Sequence, residues 1–294
     1  MDSREPVAWE WWATGTRWRI HHDGGVDDAL ADRCWRLVTR DEARWSRFLP
    51  GSEVSAVTAQ AGRQVRVSEE TVRLVAACRE WMERTGGVFN PLVGGRVAAW
   101  GYARDMARSA PGAACAPAPA GVPDRLEVDP AGGWVRIPAG TALDLGGIAK
   151  GWIADRVAGL LRGEPGAGCA LVDAGGDIVA ARGGHEVAVD DLDDRLWLDE
   201  GQAVATSGWR LRAWRTTDGR EAHHLIDPAT GDPGPLTVAT VVHHTAAGSD
   251  VWAKTVALRP HLLNGLGLPA MVRTEDGAHH TPEWVRQARR GLTR

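Results

Sequence analysis

Between Val26 and Phe48, apolar side chains fall at Leu30, Cys34, Leu37, Val38 and Trp45, with arginine and aspartate between them. That spacing predicts an amphipathic helix. Ser68, followed by Glu69, Glu70 and Thr71, opens a second helix whose stripe of Leu74, Val75, Cys78 and Trp81 runs to Gly86-Gly87; a serine cap and a glycine stop are the ends such a helix needs. Gly133 to Ile137 reads as a strand, and Asp144 leads into a helix from about Gly147 to Leu161. From Cys169 onward, short alternating or apolar runs at Cys169–Val172, Ile178–Ala180, Glu186–Val189, Ala203–Thr206, Leu211–Arg215 and Leu236–His243 predict strands. Ser249–Leu258 is a further helix, Val272 marks a last strand, and the basic tail from Arg286 reads as solvated surface.

Helices and antiparallel-looking strands without a repeated βαβ period point to an α+β body. No internal repeat divides the chain, so residues 1–294 are read as a single domain. The stretch from Ala103 to Gly121, ARDMARSAPGAACAPAPAG, has no sustained period and predicts a flexible surface loop or a lid.

Composition narrows the function classes. A formal charge of -4 from 34 basic and 38 acidic side chains disfavours a global polyanion-binding surface, so nucleic acid is not an expected partner. No apolar run reaches the roughly eighteen residues of a membrane span, and MDSREPVAWEWW lacks the pattern of a secretory leader. Cys34, Cys78, Cys115 and Cys169 form no CxxC unit, which with the rest predicts a reduced, cytoplasmic protein.

Five clusters can carry chemistry. Asp144-Leu145-Gly146-Gly147-Ile148-Ala149-Lys150-Gly151 sets a carboxylate, a glycine pair and a lysine around a helix start, suited to a phosphate and a cation, or to a tight strand-to-helix turn. It matches neither GxGxxG nor GxxxxGK[ST]. Asp173-Ala174-Gly175-Gly176-Asp177 is either a sharp turn or a ligand edge, and Ser207-Gly208 reads as a polar break between strands. His224 and Asp227 are close enough along the chain to share one site, where a histidine would exchange a proton near neutrality; alternatively, the paired histidines are partly exposed side chains on a strand edge. Asp250 can cap its helix, ligate Mg²⁺, or pair with Lys254 one turn on. Fifteen tryptophans stand against one tyrosine and two phenylalanines, and Trp100-Gly101-Tyr102 with Phe89-Asn90-Pro91 can wall an aromatic ligand.

Taken in order, TGT at 14–16, SRFLPGSEVS at 46–55, FNPLVGG at 89–95, WGY at 100–102, DLGGIAKG at 144–151, DAGGD at 173–177, TSG at 206–208, HLIDPATG at 224–231 and SDVWAK at 249–254 resemble the ApbE family of FAD:protein FMN transferases. The resemblance implies a T-fold-type α+β architecture with mixed or antiparallel sheets and packed helices. It also implies a Mg²⁺-dependent transfer of FMN from FAD to a threonine hydroxyl of an acceptor protein, with release of AMP. By the same resemblance Thr14, Phe48, Phe89, Asn90, Asp144, Lys150 and Ile226 contact FAD, Gly147 and Asp250 hold the cation, and His224 takes the acceptor proton. The alternatives are hydrolysis of FAD to FMN and AMP, or flavin binding without catalysis.

The chain departs from the family pattern at two positions that bear on this. Thr14 stands where a methionine is usual, and Lys254 stands where a threonine usually follows the cation-binding aspartate. An ammonium supplies no oxygen ligand, and Thr255, one residue on, points about 100° away on a regular helix.

Overall fold

The computed structural model describes residues 7–102, 125–189, 195–216 and 218–291. The loop expected at 103–121 lies outside them.

The chain opens with a hairpin that the periodicity reading did not assign, β1 (Val7–Ala13) and β2 (Thr16–His22). Along β2, Trp18, Ile20 and His22 are buried while Arg17, Arg19 and His21 are not, the period of a half-covered strand. Helix α1 (Asp28–Trp45) is capped by the Asp27 carboxylate, which accepts from the Leu30 amide, and it buries Leu30, Cys34, Val38, Asp41 and Trp45. Short α2 (Glu53–Ala59) and β3 (Val65–Arg66) follow. In α3 (Glu69–Arg84) the Ser68 hydroxyl accepts from the Thr71 amide, as the capping pattern predicts. Helix α4 (Gly94–Ala99) and strands β4 (Glu127–Asp129) and β5 (Trp134–Arg136) complete this half, with β3, β5 and β4 forming a small antiparallel sheet.

Helix α5 (Ala149–Gly163) leads into β6 (Ala170–Ala174), β7 (Ile178–Arg182), the hairpin β8 (His185–Ala188) and β9 (Arg195–Leu198), and β10 (Ala203–Gly208). A second small hairpin, β11 (Ala213–Arg215) and β12 (Glu221–His223), precedes β13 (Val238–His243), α6 (Ala246–Leu258), β14 (Ala270–Thr274), β15 (Gly277–His280) and α7 (Pro282–Gly291). The main sheet has eight strands in the order β1-β2-β6-β7-β10-β13-β14-β15, every neighbour antiparallel.

Strand β13 is buried on both faces. Ala239 and Val241 pack against Ala253, Val256 and Ala257 of α6, whereas Val242 packs with Leu196, Leu198 and Trp284 on the other side. The tail read as solvated surface from Arg286 is so only in part: it continues the helix Pro282–Gly291, in which Arg286 and Arg289 are exposed while Gln287 is buried and held by the Gln202 side chain at 2.9 Å, and residues 292–294 lie outside the described ones. Likewise Ser207-Gly208 continues β10 opposite Ala239 and Val238 and breaks nothing.

Helices α5 and α6 lie side by side on the same sheet face, and two residues set their separation. A Cβ on Gly151 would sit 2.5 Å from the Ala246 carbonyl, so only glycine permits this approach. Asp155 accepts hydrogen bonds from the Ala246 and Ala247 amides at 2.7 and 3.0 Å, satisfying donors that the first turn of α6 leaves without helical partners. The first two turns of α5 are thereby fixed against the first turn of α6.

Candidate active site

At that junction a cavity of about 570 Å³ opens, lined by segments from both halves of the chain. Its size falls within the roughly 300–1,000 Å³ of small-molecule sites. Thr14, Phe48, Phe89, Asn90, Asp144, Gly147, Lys150, His224 and Ile226 all line it; Asp250 does not.

The floor is built by the segment entering α5. Asp144 donates its amide to Pro91 O at 2.7 Å and accepts from the Gly146 amide at 2.7 Å, while Leu145 and Ile148 are fully buried anchors on either side of the glycine pair. The helix starts at Ala149 without a side-chain cap. In its first turn, Lys150 Nζ pairs with Asp177 Oδ2 at 2.7 Å and stands 3.6 Å from Asp250 Oδ2. Burial opposes the charge on Lys150, but the two carboxylates prevail and hold its pKa above 10.5. Asp177 reaches it from the turn after β6, where Gly175 and Gly176 take positive φ and Asp173 accepts the Gly176 amide at 2.9 Å.

On α6, capped by Thr245, Asp250 and Lys254 are one turn apart and face the start of α5. They do not form the i,i+4 pair that their spacing allows: the Asp250 carboxylate goes to Lys150, and its Oδ2 makes no hydrogen bond. The Lys254 side chain packs on Gly147, with its Cε and Cδ 3.1 and 3.2 Å from where a Cβ there would lie and its Nζ closer still. Burial lowers the Lys254 pKa, with Asp250 pulling the other way.

The mouth is aromatic and cationic. Phe48 and Tyr102 lie 5.5 Å apart, and the Arg47 guanidinium sits over both rings at 4.2 and 4.9 Å. Arg47 also donates to Tyr102 O at 2.6 Å and pairs with Asp144 Oδ2 at 3.0 Å. Asn90 Oδ1 accepts from the Leu92 amide at 2.9 Å and so shapes the turn beneath Phe89. Thr14 holds the left-handed conformation at φ 52, unusual for a β-branched residue. Its amide donates to Glu42 Oε1 at 2.7 Å and its hydroxyl accepts from Trp18 Nε1 at 3.0 Å, which fixes the strained turn at the rim.

The histidine pair divides. His223 contacts Gly234 O at 3.0 Å behind the cavity, whereas His224 lines it with Nδ1 enclosed and without a hydrogen-bond partner. Burial first, then the charges of Lys254 and Arg212, keep the His224 pKa well below 6.5, so it is neutral at physiological pH. Asp227 does not join it: its carboxylate pairs with Arg259 at 2.8 Å and accepts the Ala229 amide. Arg47 and Arg212 are cavity residues to which the sequence reading assigned no role. Arg47 lies within a motif that was recognised, but nothing in the local pattern marks Arg212.

The donor set suits an anion better than a divalent cation. Facing the cavity are Lys150 and Lys254, while Asp177 and Asp250 do not line it. Asp41, Glu42 and Asp144 do line it, but Asp41 is engaged by Arg44 and Arg156, Glu42 by the Thr14 amide, and Asp144 by Arg47 and the Gly146 amide. Among the described residues no group of three His, Cys, Asp or Glu is arranged to hold a metal. At Gly147 and Asp250, where magnesium was expected, the side chains present do not suit the cation: the Lys254 ammonium packs beside Gly147 and the Asp250 carboxylate faces Lys150.

An α+β fold whose two-helix junction turns ammonium groups toward a cavity with an aromatic mouth defines a protein built to hold an anionic, ring-bearing ligand. The chain belongs to the ApbE family, which it matches over residues 14–262. An FAD:protein FMN transferase of Klebsiella pneumoniae (strain 342) is 31% identical over 257 residues, covering 82% of this chain and 77% of that one. One from Treponema pallidum (strain Nichols) is 30% identical over 256 residues, covering 78% and 70%. The crystal structure of the ApbE protein from Thermotoga maritima MSB8 has a TM-score of 0.84 at 24% identity, over 97% of this chain and 99% of that one, which establishes the shared fold. No helix among the described residues is long and apolar enough to cross a membrane.

Proposed function

We propose that this protein is an FAD:protein FMN transferase, with one domain carrying the whole activity. FAD is the substrate; its diphosphate lies over Lys150 and its isoalloxazine lies toward Phe48 and Tyr102. Thr14, Phe89, Asn90, Asp144 and Ile226 complete the contacts. The observation that carries this reading is the Lys150 ammonium held at the cavity floor by two carboxylates that do not themselves face the cavity. Membership of a family whose relatives bear this activity supports it.

In the proposed reaction a threonine hydroxyl of an acceptor protein attacks the FMN-side phosphorus. A phosphoester forms, the bond to the AMP phosphate breaks, and AMP leaves. The enzyme needs no nucleophile of its own; it orients the diphosphate and offsets its charge. His224, neutral at pH 7 and enclosed beside the cations, accepts the hydroxyl proton. Magnesium, implied by the family resemblance, is left out of this scheme because the residues present do not fit it.

Incubation of the protein with FAD and a threonine-bearing acceptor domain, followed by mass spectrometry, tests the reading. One FMN added to the acceptor with AMP released is expected. FMN and AMP released without an acceptor would identify a hydrolase, and intact bound FAD a passive carrier.

A further inference from the structure

We propose that the Lys254 ammonium occupies the position of a divalent cation at the floor of this cavity and serves as a built-in counter-charge for the FAD diphosphate, so that flavin binding and transfer run without metal. This rests on the FAD reading above.

The two lysines are placed differently. Lys150 is paired at 2.7 Å with Asp177 and stands 3.6 Å from Asp250, so much of its charge is already matched by protein. No carboxylate lies within ion-pair distance of Lys254 among the described residues, although its side chain lines the same cavity. Of the two lysines, Lys254 is the one whose charge is left for a ligand. A lysine delivers that charge as a compact point, as a bound cation would.

The surroundings also resist a metal ion. A divalent cation beside Gly147 would have to displace the Lys254 side chain from the glycine surface on which it packs. Having done so, it would meet Lys150 at the cavity floor, with the Asp250 carboxylate already turned to that lysine and not lining the cavity. The Asp250 Oδ2, which accepts no hydrogen bond, faces the Lys150 ammonium at 3.6 Å. A Cβ on Gly147 would meet the end of the Lys254 side chain and oblige it to shift.

The test measures FAD affinity by quenching of flavin fluorescence in excess EDTA and again in excess MgCl₂, with Mn²⁺ uptake by the FAD complex followed by electron paramagnetic resonance. Wild type is expected to bind FAD equally under both conditions and to take up no Mn²⁺ that Asp250→Asn abolishes. Lys254→Met should bind FAD roughly ten- to a hundredfold more weakly in either buffer. Lys254→Thr should acquire Mn²⁺ uptake and bind FAD more tightly with MgCl₂ than with EDTA. Wild-type affinity that depends on MgCl₂, or Mn²⁺ uptake lost in Asp250→Asn, overturns the inference and leaves the transferase reading standing. Absence of FAD binding in both buffers overturns both. Circular dichroism checks the folding of each variant, and if one fails, the wild-type comparison decides alone.

Discussion

Lys150 Nζ lies 2.7 Å from Asp177 Oδ2, an ion pair that ties the first turn of α5 to the turn leaving β6. Asp250 of α6 shares the same ammonium at 3.6 Å, so one lysine joins three segments. Replacing it by methionine strands two buried carboxylates. Lys150→Met should therefore cost about 3–5 kcal/mol of stability, measured by urea unfolding. The pH dependence has a definite sign. The folded-state pKa of Lys150 is raised above 10.5, so its contribution is complete below pH 10.5 and is lost only as pH rises through the higher folded value.

His224 should show the opposite sign. Its folded pKa lies well below 6.5, so the unfolded chain binds the proton more readily, and the histidine's contribution to stability declines as pH falls below 6.5. In catalysis the neutral ring is the competent form. The acid limb of kcat/KM is expected below pH 6.5, and His224→Ala should slow transfer by about 10²–10⁴-fold with the Kd for FAD little changed. Loss of FAD binding in step with loss of rate would remove His224 from proton transfer.

What could be read along the chain depended on how local its cause is. Ser68 capping α3 and the spaced apolar face of α1 are decided within a few residues, and both hold in the fold. The β1–β2 hairpin escaped because its turn puts Thr14, at φ 52, where Asn-Gly would be the usual signal. The α7 helix escaped because its burial depends on Trp284 and Gln287 meeting β9 and the Gln202 side chain, not on a long apolar stripe. The same division runs through the site. Asp144, Lys150 and His224 were visible as chemistry in short motifs. The direction each cation faces was not, because spacing along α6 offers Asp250 to Lys254 while packing delivers it to Lys150 across a helix junction.

That junction makes two glycines of one helix respond oppositely to the same substitution. Gly151 touches the α6 backbone, where a Cβ would lie 2.5 Å from Ala246 C, so Gly151→Ala should destabilise by about 1–3 kcal/mol through overpacking. It should also weaken FAD binding by shifting Lys150 relative to Lys254. Gly159 of the same helix is exposed with nothing within 4 Å of its Cβ position, so Gly159→Ala should stabilise by about 1 kcal/mol. Thermal unfolding of the two variants side by side checks both; equal shifts would mean that the close crossing does not govern the helix pair.

Arg47 links the two ends of the cavity, and its planar fork is the reason. One guanidinium meets Asp144 at 3.0 Å and Tyr102 O at 2.6 Å while covering the Phe48 ring at 4.2 Å. Arg47→Ala should release Asp144 at the floor and loosen Tyr102 at the mouth, weakening FAD binding by roughly ten- to a hundredfold. Arg47→Lys should not restore it, since a single ammonium cannot make divergent contacts and stack on a ring together. A double-mutant cycle with Asp144→Asn separates the two effects. If the floor contact dominates, the two substitutions will be strongly non-additive in FAD affinity; if the aromatic mouth dominates, their effects will add, and Asp144 will retain its position through the Gly146 amide alone.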